Sequence, residues 1–190
     1  METFIQNVTN IDFGILDFIQ QNLRNPFFDF LMPFLSAIGE AGIVWIVICI
    51  GMLFPKMTRM WAIAGLLAML VTWLSGEVIL KNLIGRVRPC NVNLAVDMLV
   101  DRPSSYSFPS GHTSSSFACA TVIFRMNKKW GIGALILAAL IGFSRLYNYV
   151  HFPTDVLAGM LWGILLASVV VWVFKKYNLF DDKKDLNLNK

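Results

Sequence analysis

Ser144-Arg145-Leu146-Tyr147-Asn148-Tyr149-Val150-His151-Phe152-Pro153-Thr154-Asp155 decides the reading of this chain. It joins the last two long apolar segments and sets Arg, His and Asp at the boundary between them. The chain has only 2 histidines, and His151 is one of them. The other, His112, closes Phe108-Pro109-Ser110-Gly111-His112. Each imidazole therefore sits next to a Gly or Pro turn in an otherwise apolar protein.

Working outward, the composition names the medium. Hydrophobic residues make up 56% of the 190 residues and charged ones 15%, and the mean hydropathy is +0.61. That balance is too apolar for a water-soluble globule and fits a helical, multi-pass membrane protein of one domain. Cys49 and Cys119 lie inside apolar runs and read as packing residues. Cys90, in a polar loop after Pro89, is the one candidate for a reactive thiol. The N-terminus has no basic region ahead of an apolar core, so no cleavable signal is expected.

The pattern predicts an all-α bundle. Residues 11–24 read as an amphipathic helix capped by Asn10. Ile11, Ile15, Phe18, Ile19 and Leu23 form its apolar face against Asp12, Gln20 and Gln21, and Asn25-Pro26 ends it. Residues 27–38, broken by Asp29 and Pro33, are expected to lie in the interface. Five spans follow, at about 41–54, 60–80, 111–124, 130–147 and 156–174. The first is short and borrows residues upstream of Glu40 or lies where the bilayer is thin. A charged tail, 175–190, is expected to be frayed.

Lys56 and Arg59, then Arg125, Lys128 and Lys129, then Lys175 and Lys176 follow alternate spans and place those ends in the cytoplasm. The N-terminus is then outside and the C-terminus inside; if 27–38 crosses as well, the N-terminus moves inside. The outer loops still carry Lys81, Arg86, Arg88, Arg102 and Arg145, on the side where basic residues are disfavoured. An anionic ligand accounts for them.

Each feature also has an ordinary reading. Lys81 and Arg88 can snorkel to headgroups, and Glu77 can merely offset Lys81 one turn away. Ser110 can be a plain N-cap, and Asp155 a first-turn acid favoured by the helix dipole. Taken together they point further. Three cations, a free helix start at Gly111, two histidines and one carboxylate suit phosphoryl transfer, one histidine attacking phosphorus and the other protonating the leaving oxygen. The few outer carboxylates, Asp97, Asp101 and Asp155, do not suggest a magnesium site, so no metal or cofactor is expected.

The same residues resemble the type 2 phosphatidic acid phosphatase family, integral-membrane lipid phosphatases that share an active-site plan with vanadate-dependent haloperoxidases. Lys81, six residues, then Arg88-Pro89 matches its first motif, and Pro109-Ser110-Gly111-His112 its second. Ser144-Arg145, five residues, His151, three residues, Asp155 matches its third. The resemblance implies His151 as nucleophile, Asp155 holding its far nitrogen, and His112 as general acid and then base. It implies Lys81, Arg88 and Arg145 as phosphate clamp, with Ser110 and the Gly111 amide completing the oxyanion site. Arg86 lies outside the motifs and is left as a headgroup contact. Many bacterial members have six spans, and the first is not evident here.

The implied substrate is a lipid phosphate in the bilayer at the outer face of a bacterial cytoplasmic membrane, with undecaprenyl diphosphate ahead of phosphatidylglycerol phosphate and phosphatidic acid. No nucleic acid and no obligatory protein partner are expected. A vanadate-dependent oxidase and a non-catalytic lipid-binding protein are the competing classes; five spans argue against the first, an intact nucleophile and clamp against the second.

Overall fold

A computed structural model describes residues 2–180, and they are helical with no strand among them. The helices are α1 (Glu2–Asn22), α2 (Pro26–Ile38), α3 (Ile43–Leu53), α4 (Arg59–Trp73), α5 (Lys81–Ile84), α6 (Pro89–Val92), α7 (Gly111–Met126), α8 (Lys128–Tyr147) and α9 (Pro153–Lys176). A π-helical stretch, Leu74–Leu80, joins α4 to α5 without a break. Gly85, at φ 62°, then stops the helix, as a left-handed C-terminal glycine does.

Among the described residues, Arg59–Val92, Lys128–Tyr147 and Pro153–Lys176 are long and apolar enough to cross a membrane. Pro26–Ile38 and Glu40–Leu53 qualify only together, as a pair bent by 52°. The bend falls at Ala41 and Gly42, whose φ values are 49° and 71°. α7 falls short of the expected span: its 16 residues reach about 24 Å against ~30 Å of hydrocarbon. Most of it is buried, packed between α4, α8 and α9 as the axis of the bundle.

Small residues make that central packing possible. A Cβ on Gly159 would stand 2.7 Å from the Ser110 carbonyl oxygen, and one on Gly163 would overlap the Ser114 carbonyl. The glycines sit four apart on one face of α9, the spacing that lets two membrane helices close on each other. The Ser110 amide then donates to the Asp155 carbonyl at 3.1 Å, stitching the start of α7 to the start of α9.

Several expectations are corrected. α1 begins at Glu2 and runs through Asn10, which is an interior residue and not a cap. Its Asp12 is 1% exposed, while Ile11, Ile15 and Phe18 are exposed. The expected polar face therefore points inward at this position, because Asp12 has a cation to meet inside. Asn25-Pro26 starts a helix as well as ending one: the Asn25 side chain accepts from the Phe27 and Phe28 amides, and Pro26 fills the first turn. The span expected at 60–80 continues to Ile84, since nothing before Gly85 breaks it. Cys90 is fully buried beside Tyr149 and Phe152, not a solvent-facing thiol. The tail does not fray at 175: α9 includes Lys176, and Phe180 stacks on Trp61 with ring centroids 3.8 Å apart. The rest of the expected tail, 181–190, lies outside the described residues.

Candidate active site

The helix ends carrying the motif residues meet around one cavity of about 610 Å³. Lys81 comes from the start of α5, Arg88 from the link before α6, Gly111 and His112 from the start of α7, and Arg145 from the last turn of α8. His151 comes from the link before α9. All six line the cavity. Lys81, Arg88 and Arg145 are only 5%, 4% and 6% exposed. Burying three cations together is costly unless anions answer them. Within the cavity wall the carboxylates are Glu40 and Glu77.

Each cation is aimed by a specific set of bonds. The π-helical stretch brings Glu77 onto Lys81, whose Nζ bonds both carboxylate oxygens at 2.6 and 2.7 Å. Arg88 donates from Nε to the Ser105 carbonyl at 2.7 Å and from Nη1 to the Val150 carbonyl at 2.9 Å. Arg145 donates from Nη1 to the Ser36 hydroxyl, and its Nε has no hydrogen-bond partner among the described residues. A Cβ on Gly111 would run into the Glu77 carboxylate, so only glycine leaves that corner free.

The tautomer of His151 follows from its partner. Arg88 Nη1 lies 3.0 Å from His151 Nε2. A guanidinium has no acceptor, so it donates and Nε2 presents its lone pair. The proton of the neutral ring then sits on Nδ1, which faces Asp155 Oδ2 at 3.5 Å. The imidazole is thus held with Nε2 towards the cavity and Nδ1 towards a carboxylate. Burial, followed by the charges of Arg88, Arg145 and Lys81, holds its pKa well below the ordinary 6.5 and keeps it neutral. His151 hangs on a constrained link: Tyr149, at φ 58°, is a non-glycine residue in the left-handed region. Burial pushes the Tyr149 phenol up to about 12, so it stays a donor to Asp17 Oδ1 at 3.0 Å.

His112 Nε2 lies 3.2 Å from Glu40 Oε2 without hydrogen-bond alignment. Ser110 does not reach the cavity wall. It caps α7, its Oγ accepting from the Thr113 amide at 3.4 Å and the Thr113 hydroxyl at 2.9 Å. Among the described residues the amides of Gly111 and His112 have no hydrogen-bond partner at the helix start. Asp155 is likewise behind the wall, fully buried, its Oδ2 accepting from the Phe152 amide at 2.9 Å.

A model of the PAP2 superfamily matches residues 59–179. The chain belongs to that superfamily. It is 34% identical over 144 residues to the undecaprenyl-diphosphatase of Sulfolobus acidocaldarius, covering 75% of this chain and 69% of that one. It is 32% identical over 177 residues to phosphatidylglycerophosphatase B of Bacillus subtilis, covering 85% and 82%. The crystal structure of a transmembrane PAP2-type phosphatidylglycerolphosphate phosphatase from Bacillus subtilis matches with a TM-score of 0.75 at 31% identity, over 90% of this chain and 87% of that one. The motif residues 81–155 fall within the family match, and the chain is a membrane protein.

The fold adds residues to the site that the motifs did not mark. Arg86, expected at a headgroup, instead turns inward and bonds Asp155 Oδ1 at 2.6 Å. Glu40, Ser36 and Ser105 meet His112, Arg145 and Arg88. The Gly159-xxx-Gly163 spacing is a signal of helix approach present in the sequence; Arg86, Glu40 and Ser36 meet partners from segments distant in the chain.

Proposed function

We propose that this protein hydrolyses a lipid phosphate or pyrophosphate through a phosphohistidine intermediate. The tautomer of His151 carries the reading: Nε2 faces the cavity and Nδ1 faces Asp155. The substrate phosphate takes Arg88 Nη1 away from Nε2 and is held by Arg88, Lys81, Arg145 and the Gly111 amide. Ser110 contributes by capping the helix that presents that amide. Nε2 attacks phosphorus, the P–O bond to the lipid breaks, and His112 delivers a proton to the departing oxygen. His112 then takes a proton from water, which attacks the phosphohistidine. Inorganic phosphate leaves and Nε2 regains its lone pair. Three cations around the transferring oxygens supply the charge stabilisation, so neither metal nor cofactor enters the steps.

The far wall of the cavity supports a lipid substrate. Ile46, Leu66, Met69, Leu70 and Trp73 line it, and Leu70 and Trp73 are more than half exposed on the flank of the bundle. A headgroup fits among the cations while the tail stays in the bilayer. Undecaprenyl diphosphate to undecaprenyl phosphate is the preferred reaction, in keeping with the likeness to the Sulfolobus enzyme. Glu40 and Glu77 favour a second reading, since two carboxylates in the wall can accept from the hydroxyls of a glycerol headgroup, as in phosphatidylglycerol phosphate.

The arrangement in the membrane is also our reading. One membrane-embedded domain crosses five times, through the bent α2–α3 pair, α4 to α5, α7, α8 and α9. α1 lies at the outer interface and α2 beside it, because Asp29 and Ser36 of α2 both bond the last turn of α8, at Tyr147 and Arg145. The site then faces outside and the C-terminus the cytoplasm of a bacterial inner membrane, with lipid as the one necessary partner.

The test is phosphate release by the purified protein in detergent from undecaprenyl diphosphate, phosphatidylglycerol phosphate and phosphatidic acid, with excess EDTA in a parallel set and His151→Ala as blank. A tenfold preference, about 1.4 kcal/mol in transition-state binding, for undecaprenyl diphosphate supports the assignment. A like preference for phosphatidylglycerol phosphate selects the second reading. Loss of activity on chelation overturns the metal-free mechanism, and no release from any substrate overturns the phosphatase.

A further inference from the structure

The partly buried Arg86 and the buried Asp12 form a chain behind the reacting histidine that the mechanism above does not use. Arg86 Nη1 bonds Asp155 Oδ1 at 2.6 Å and the Thr154 hydroxyl at 2.7 Å. Its Nη2 bonds Asp12 Oδ2 at 2.7 Å, and the guanidinium lies 3.9 Å over the Phe152 ring. Asp12 also accepts from the Thr154 amide at 3.1 Å and the Thr154 hydroxyl at 2.5 Å. Asp12 and Asp155 are 1% and 0% exposed, so one guanidinium answers two buried carboxylates. None of Arg86, Asp12 or Thr154 lines the cavity.

The geometry of Asp155 shows what the chain does. Its Oδ2 accepts from the Phe152 amide and lies 3.5 Å from His151 Nδ1, its Oδ1 accepts from Arg86, and the Ser107 side chain also bonds the carboxylate. Held at both oxygens, the carboxylate plane cannot rotate, and Oδ2 stays on the Nδ1 side of the ring. Without Arg86 the carboxylate keeps the Ser107 side chain and the Phe152 amide but loses its charged partner, so it is less restrained about its last torsion, which has a broad two-fold profile, and Nδ1 faces a less fixed acceptor. Two further bonds carry α1 to the same link. Asp17 takes the Tyr149 hydroxyl, and Gln20 donates to the Tyr147 carbonyl at 2.8 Å. Leu16, fully buried, packs with Tyr149, Val150 and Phe152.

We infer that α1 is the positioning element of the active site, with Asp12 acting through Arg86 to fix the Asp155 carboxylate against His151. Asp12 and Arg86 are positioning residues: they touch no phosphate oxygen. Catalysis therefore depends on the docking of α1, a helix whose outer residues Ile11, Ile15 and Phe18 are exposed and apolar. The inference rests on the phosphohistidine reading.

The test uses the full chain in detergent with undecaprenyl diphosphate, phosphatidylglycerol phosphate and phosphatidic acid as substrates and inorganic phosphate as competitor. Asp12→Asn keeps the shape of the side chain and removes its charge; Arg86→Gln removes the bridge; Arg86→Lys keeps one cation beside Asp155. The expected result is kcat lowered by about tenfold or more in Asp12→Asn and Arg86→Gln, with partial recovery in Arg86→Lys. KM and the inhibition constant of phosphate stay within about twofold, because the clamp is intact. Unchanged kcat in Asp12→Asn and Arg86→Gln overturns the inference while leaving the phosphatase standing. So does a loss of kcat matched by weaker phosphate inhibition, which marks a lock on the whole fold. Should Arg86→Gln not fold, Asp12→Asn carries the same comparison. A wild type inactive on all three lipids removes the phosphohistidine reading, and this inference with it.

Discussion

Replacing Gly159 by Ala tests whether the contact of α9 with α7 sets the reacting geometry. The new Cβ would stand 2.7 Å from the Ser110 carbonyl oxygen and 3.3 Å from Thr113 Cβ, where ordinary contact begins at 3.4 Å. The shortfall against the carbonyl is therefore about 0.7 Å, and the obstructing atom is backbone, which cannot turn aside. The two helix starts must part by a large share of that distance. His112 sits two residues after Ser110, and Asp155 one turn before Gly159, so the displacement falls between His112 and His151, the proposed general acid and nucleophile. Overpacking of this kind costs about 1–3 kcal/mol in stability, and a misplacement approaching 1 Å costs on the order of a hundredfold in rate. The assay is thermal unfolding in detergent together with kcat/KM on the preferred lipid. Gly133→Ala in α8 is the control, because its Cβ meets nothing within 4 Å; it should be neutral or slightly stabilising. A Gly159→Ala protein as stable and as active as the control would refute the claim that this helix approach aligns the site.

Two further outcomes follow from the roles of the histidines. His112→Ala should lose much less activity on substrates with good leaving groups, such as p-nitrophenyl phosphate, than on lipid esters; equal loss on both would remove it as general acid. His151 is driven neutral by burial and by Arg88, Arg145 and Lys81. A lowered pKa means that the nucleophile is deprotonated at every pH above that lowered value, and activity is lost only as pH falls through it. The acid limb of kcat/KM, corrected for ionisation of the substrate, should then lie below pH 6.5, the ordinary imidazole value. An acid limb above that value would contradict the environment assigned to His151.

The sequence carried the motifs in a form that could be read directly, because each is local. Lys81 and Arg88-Pro89, Ser110-Gly111-His112, and Arg145 with His151 and Asp155 each sit at a helix end, and spacing along one backbone fixes which side chains share that end. The Ser110 cap, the Glu77–Lys81 pair and the apolar helices before and after them were legible for the same reason. The face of α1 was misread at Asp12 because amphipathicity was scored as if the polar side must look away from the protein. In this bundle Ile11, Ile15 and Phe18 are exposed and Asp12 is buried against a cation. Tertiary structure alone decided that Arg86 turns inward to the Asp155 and Asp12 carboxylates, since Asp12 and Thr154 are 142 residues apart. It also decided that α7 is the buried axis of the bundle and that Phe180 folds back on Trp61. Spacing along the chain encodes neighbours one turn apart; which buried charge finds which partner depends on how the helices pack, because a charge removed from water is held by whatever group the packing brings within reach.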